Sequence, residues 1–321
     1  MAFHRFQPQI YYFTYGPNDP ALIIHDGDTV VTTTRDARGL DEKLEPIPET
    51  QKQNSDITSL RQSNPLVGPI YVEEIKRRDT LAVTIKTIRL NRDSAWSGIA
   101  PNLGALTRAG PGKTTFLNEP LPAKRFEWRL NLERNEGILE LENSEMKRIA
   151  IPLHPFIGSI GIAPRYGRVE PSNTPGEYGG NMDCVETKEG TTIYFPVWVD
   201  GAYLAFGDVH AAQGDGELCG SALETTAEVT IQLDIIKNRK LEWPHMQDDK
   251  YLMTTGSGRP LIDCVRVAYI ELVKWLVDEH GYDKWDAYQM VSQVGTMRIG
   301  NIVNPNYTVV AKFPKEYLKY Q

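Results

Sequence analysis

Residues 80–90 read Thr-Leu-Ala-Val-Thr-Ile-Lys-Thr-Ile-Arg-Leu. In an extended chain, successive side chains point to opposite faces. That places Leu81, Val83, Ile85, Thr87 and Arg89 on one face and Ala82, Thr84, Lys86 and Ile88 on the other, the alternation of a half-buried strand. Period-two or continuous apolar runs recur at 29–33, 69–73, 126–132, 137–142, 147–153, 191–199, 202–206, 227–236 and 250–254. β-branched residues dominate them, as pleated surfaces prefer. Helical spacing is confined to the end of the chain. Within 260–280, Ile262, Val265, Tyr269, Leu272, Val273 and Leu276 recur at intervals of three and four, and Gly281 follows as a stop. Asp283 reads as the N-cap of a second helix whose inward residues are Ala287, Met290, Val291 and Val294, with Gly295 at its end. The expected fold is mainly β. Sandwich-like structure covers residues 1–255, and a C-terminal helical or α+β appendage, 256–321, packs on that core.

Two stretches, 35–65 and 94–124, are polar or rich in Gly and Pro without periodicity, and read as long irregular loops. The tetrads Gly27-Asp28-Thr29-Val30 and Arg78-Asp79-Thr80-Leu81 echo each other as polar turns ahead of strands. With 321 residues, 40% hydrophobic and 24% charged, the chain can bury a large core and is not disordered. A net charge of -7 offers no basic face for phosphate backbones, which argues against a nucleic-acid partner. Cys184, Cys219 and Cys264 are few and scattered, as in reduced cytosolic proteins rather than disulfide scaffolds. No apolar run reaches the length of a membrane span. A cytoplasmic protein without a membrane partner is expected.

Chemistry-bearing residues concentrate in two places. Residues 207–217, Gly-Asp-Val-His-Ala-Ala-Gln-Gly-Asp-Gly-Glu, follow the run at 202–206. Asp208 and His210 are two apart, so an extended chain points both to one face, as half of a zinc-type site. Gly214 and Gly216 permit a turn that carries Glu217 back over the strand end. A polar turn between two strands explains the same residues without a ligand. The second place is 174–183, Thr-Pro-Gly-Glu-Tyr-Gly-Gly-Asn-Met-Asp, where adjacent glycines allow close backbone approach. Asp183 there completes a three-residue set with Asp208 and His210 that leaves positions open for water. The runs at 191–199 and 202–206, joined by Asp200-Gly201, read as a hairpin that returns the chain to Asp183. Cys219 is the one candidate nucleophile nearby. The other histidines, His4, His25, His154, His245 and His280, carry no specific signal. G-x-S-x-G and P-loop signatures are absent.

Residues 201–217, together with Gly179-Gly180-Asn181-Met182-Asp183, resemble the two motifs of the acetamidase/formamidase family. Supporting stretches are 68–73, 79–81, 155–161 and 224–229. The resemblance implies hydrolysis of short amides such as formamide or acetamide, a β-rich fold and a homo-oligomer, dimer or tetramer. From the ligand types, rather than from the resemblance, a divalent metal, zinc with calcium as alternative, is expected on Asp183, Asp208 and His210. Asp208 and Glu217 are the catalytic carboxylates, Glu217 moving the proton. Backbone N–H groups of Gly179, Gly180 and Asn181 bind the oxyanion. Two other readings stay open: a metal-independent amidase using Cys219 or a carboxylate, and a non-catalytic β-sandwich module holding a structural cation.

Overall fold

The computed structural model describes residues 1–54, 63–107 and 120–318. Parts of both predicted loops, 55–62 and 108–119, lie outside the described residues. Among those described, two large sheets dominate, one of nine strands and one of twelve. Strand Thr80–Leu90 runs near the middle of the nine-stranded sheet between Ala227–Ile236 and Thr192–Pro196. Its Leu81, Val83 and Ile85 join a buried cluster with Leu66, Ile157, Ile160 and Phe206 of the other sheet. The main core therefore lies between the sheets, as in a sandwich. The alternation does not persist to the end of the strand. Pairing with Ala227–Ile236 slips between Ile85 and Thr87, and Lys86 is the extra residue of a bulge. The slip inverts the phase, so Ile88 enters the core while Arg89 is exposed.

On the outer face of the nine-stranded sheet lies a second core. Ala82, Leu252, Val309, Ala311 and Phe313 meet Cys264, Ala268, Leu272, Trp275 and Leu276 of helix Leu261–His280. Gly281 ends that helix at φ 69°, and the Asp283 carboxylate caps helix Lys284–Val294 by accepting the Trp285 N–H. Ile262, expected on the inward face, is 52% exposed because the buried stripe starts at Cys264. Strands Thr296–Asn301 and Tyr307–Pro314, which periodicity did not single out, close this sheet beside Tyr251–Gly258. The echoed tetrads have a physical basis. Asp28 and Asp79 each accept the backbone N–H three residues earlier, from His25 and Lys76, and each precedes a strand of this sheet.

Three local expectations are corrected. Strand Thr192–Pro196 belongs to the nine-stranded sheet and Leu204–His210 to the twelve-stranded one, so Asp200-Gly201 carries the chain between sheets and forms no hairpin. The second predicted loop begins with strand Ser94–Ile99, paired to Lys124–Asn131. The first is no mere surface loop, since Asp36, Ile47 and Asn64 in it are buried. Asp36 accepts the Arg38 and Leu40 N–H groups at 2.9 and 3.0 Å on one oxygen. Its other oxygen takes Arg92 at 3.1 Å and the Trp96 indole at 3.3 Å. Removing one partner of such a buried pair leaves an uncompensated charge, at about 3–5 kcal/mol. Asp36→Ala is expected to lower the unfolding free energy by that order, read from the denaturant midpoint at constant slope.

Candidate active site

The site is assembled by a ladder of short strands in the twelve-stranded sheet. Gly179–Asn181 pairs with Phe156–Gly161, which pairs with Leu204–His210, which pairs with Glu224–Thr225. Asp208 and His210 thus lie within a strand rather than in a turn after it. Glu224 stands directly opposite His210 in register. Asp183 follows the first strand, and its N–H donates to the Gly158 carbonyl at 3.1 Å. This ladder, not a hairpin, brings Asp183 to Asp208 and His210.

Two overlapping triads result, Asp183–Asp208–His210 and His210–Glu217–Glu224, each with ligand atoms within 4.8 Å of one another. All five residues are buried. His210 Nε2 lies 3.4 Å from Asp208 Oδ1 and 3.3 Å from Glu224 Oε2. Asp208 does not reach this position as part of a plain extended chain. Asp183, Asp208 and Glu217 have φ of 50°, 57° and 50°. Such left-handed conformations are disfavoured by roughly 1–3 kcal/mol each in non-glycine residues and concentrate at working sites. Gly158 forms the floor. A Cβ there would sit 2.7 Å from His210 Cε1 and 2.9 Å from Asp183 Oδ1, so any side chain would fill the space between the ligands.

The outer atoms of the acids and the imidazole are held by partners the sequence reading did not find. Asn304 donates to Asp183 Oδ2 at 2.7 Å. Asn64 donates to Asp208 Oδ2 at 2.8 Å, and Ser159 at 3.2 Å. Asn64 also donates to the side-chain oxygen of Asn181, which shares the single Ser159 proton with Asp208. The Gln213 amide gives its protons to the Asp183 and Gly300 carbonyls at 2.9 and 3.0 Å. Its oxygen therefore faces His210 Nδ1 at 3.1 Å, and Nδ1 must be the donor. Neutral His210 then presents a lone pair at Nε2, the tautomer a metal requires. The three asparagines between 301 and 306, flanking Pro305, were the available signal: many amides in one short connection.

Four buried atoms of these five residues remain without a hydrogen bond: Asp183 Oδ1, Asp208 Oδ1, His210 Nε2 and Glu224 Oε2. The outer atoms are satisfied and the inner ones are not, which is the donor arrangement of a cation site. Oxygen donors with one imidazole nitrogen suit a divalent metal. Gly179 has a different role from the one expected. Its N–H already donates to the Gly176 carbonyl at 3.0 Å, and a Cβ on Gly179 would lie 2.4 Å from the Ile160 carbonyl. It serves close strand approach. Cys219 is exposed and has no hydrogen-bonding partner for its thiol among the described residues.

Comparison with known proteins identifies the family. The chain is 35% identical to the acetamidase of Yersinia enterocolitica, with a TM-score of 0.85 over 99% of this chain and 93% of that one. The chain belongs to the acetamidase/formamidase family. The profile of this family matches residues 167–319, the part that holds Asp183, Asp208, His210, Glu217 and Glu224. The acetamidase of Bacillus halodurans is 31% identical, with a TM-score of 0.80 over 98% of each chain. The acetamidase of Mycolicibacterium smegmatis is 33% identical over 135 residues, which are 38% of this chain and 31% of that one.

Without a cation the site is electrostatically crowded. Burial raises the Asp183 carboxyl to about 8, the neighbouring Asp208 pushing the same way against His210. Burial also raises Glu217 and Glu224. Burial alone would lower His210, but Glu224 and Asp208 hold it well above its ordinary value. The sign follows for stability. From its ordinary 3.8 up to about 8, folded Asp183 keeps a proton that the unfolded chain has released. The contribution of Asp183 to the stability of the metal-free protein therefore falls as pH rises across that window. In chelator, the thermal midpoint is expected to decline from pH 5 to pH 8, and Asp183→Asn to flatten the decline.

Proposed function

We propose that this site hydrolyses short linear amides to ammonia and the carboxylate, with Asp183, Asp208 and His210 holding a zinc ion and Glu217 acting as acid–base. The observation that carries the reading is the set of four buried, unpartnered ligand atoms within a family whose named relatives are acetamidases. Imidazole favours zinc over calcium, which prefers oxygen alone. Bound there, the metal supplies Lewis acidity toward the amide carbonyl and lowers the pKa of a water to about 7. Gln213 fixes the His210 tautomer, and Asn64, Ser159 and Asn304 hold the two aspartates in place. Glu217, unlike Asp183 and Asp208, lines a surface cleft, so it meets the substrate. Burial, with Asp183 beside it, raises its pKa, so it holds a proton more tightly than an exposed carboxylate does. Glu217 takes the proton of the attacking water as the C–O bond forms. It returns that proton to nitrogen as the C–N bond breaks. The strand carrying Gly179, Gly180 and Asn181 contributes by anchoring Asn64 and Ser159 rather than by an oxyanion contact from Gly179. The exposed Ile262, Ile270, Trp285 and Tyr288 on the helices support a homo-oligomer, dimer or tetramer, and three unpaired cysteines support the cytoplasm.

Ammonia release from formamide and acetamide tests this directly. Activity is expected to vanish in chelator and return with zinc, at about one ion per chain by elemental analysis. Glu217→Gln is expected to cut kcat by about 10²–10⁴-fold with zinc content unchanged, the usual worth of a general acid–base. Chelator-resistant turnover by metal-free enzyme would instead move the chemistry to Cys219 or a carboxylate nucleophile. Near-normal turnover by Glu217→Gln would remove its role.

A further inference from the structure

We infer that the site prefers amides with an extended apolar acyl group over formamide and acetamide, an inference that rests on the amidase reading above. The cleft that reaches Glu217 and Gln213 has a volume of about 730 Å³. Formamide and acetamide are the size of a few waters, on the order of 100 Å³ at about 30 Å³ per water. A cleft in the range of roughly 300–1,000 Å³ suits a much larger ligand. Its walls include Ile99, Phe126, Ile151, Leu218 and Leu223. Leu218, next to Glu217 in the chain, is 50% exposed, an apolar side chain left beside a buried acid. The two serines of the same wall are already engaged, while His154 and Lys188 line it as well. Ser97 Oγ accepts the Trp128 indole N–H at 3.0 Å, and Ser221 Oγ bridges the Gly98 N–H and carbonyl at 2.9 and 3.2 Å. At the rim Arg298 is neutralised by Asp215 at 2.8 Å. Such a wall stabilises a hydrocarbon tail while the carboxamide reaches Glu217.

Each methylene fully buried is worth roughly fourfold in affinity. Even partial burial of the four extra carbons of hexanamide is expected to raise kcat/KM at least about tenfold over acetamide in the zinc-loaded enzyme. Phe126→Ala is expected to lower that hexanamide-to-acetamide ratio about fivefold. Equal or better turnover of acetamide, with a ratio indifferent to Phe126→Ala, would overturn the inference and leave the amidase reading intact. If no amide is hydrolysed, the amidase reading fails. Calorimetry then decides the cleft: hexanamide binding tenfold tighter than acetamide supports it, and equal binding refutes it.

Discussion

Everything in the site depends on placing four buried carboxylates around one imidazole. His210 Nε2 lies within 3.4 Å of two carboxylate oxygens, while Asp183 and Glu217 complete the triads on either side. Burial pushes Asp183 to about 8, and the neighbouring Asp208 and Glu224 add to it, so some of these groups stay protonated. A divalent cation reverses the balance, because it turns mutual repulsion into shared attraction. The fold accepts this crowding and holds the acids already gathered, as a cation would need them.

Holding that set requires geometry that ordinary strands do not provide. Three of the acids adopt left-handed backbone conformations, and Gly158 gives up its side chain so that His210 and Asp183 can meet above it. Phe156 packs edge-on to the His210 ring at 5.1 Å, and Gln213 holds the opposite nitrogen. Asp183, Asp208 and His210 are thereby each held by an amide as well as by backbone or packing. Such double restraint is what keeps ligands in place when their own charges push them apart.

How much of this could be read from sequence follows the range of each signal. Asp208, His210 and Glu217 share one glycine-punctuated segment, so their chemistry is visible within eleven residues. The helices and the Thr80–Leu90 strand are equally local, resting on period and capping. Asn64 and Asn304 are not, since they act on acids 144 and 121 residues away and look like ordinary loop amides. The Asp200-Gly201 turn reports only that the chain reverses there. Which sheet receives the next strand is decided by long-range pairing. The phase flip at Lys86 is likewise set by the partner strand, not by anything in the run itself.

The C-terminal segment shows why the long-range part matters for function. Asn301 ends a strand of the nine-stranded sheet and donates to the Asn181 and Met182 carbonyls at 3.2 and 3.3 Å. Asn304, in the connection that follows, donates to the Asn181 carbonyl and to Asp183. A ligand carried by one sheet is thus positioned by the edge of the other. Gly300 permits this approach, since a Cβ there would lie 2.5 Å from the Met182 carbonyl. The two sheets must close on each other before Asp183 is held, so the site cannot form ahead of the sandwich. The last strands are for that reason part of the active-site scaffold, although they lie in the segment whose helices give it the look of an appendage.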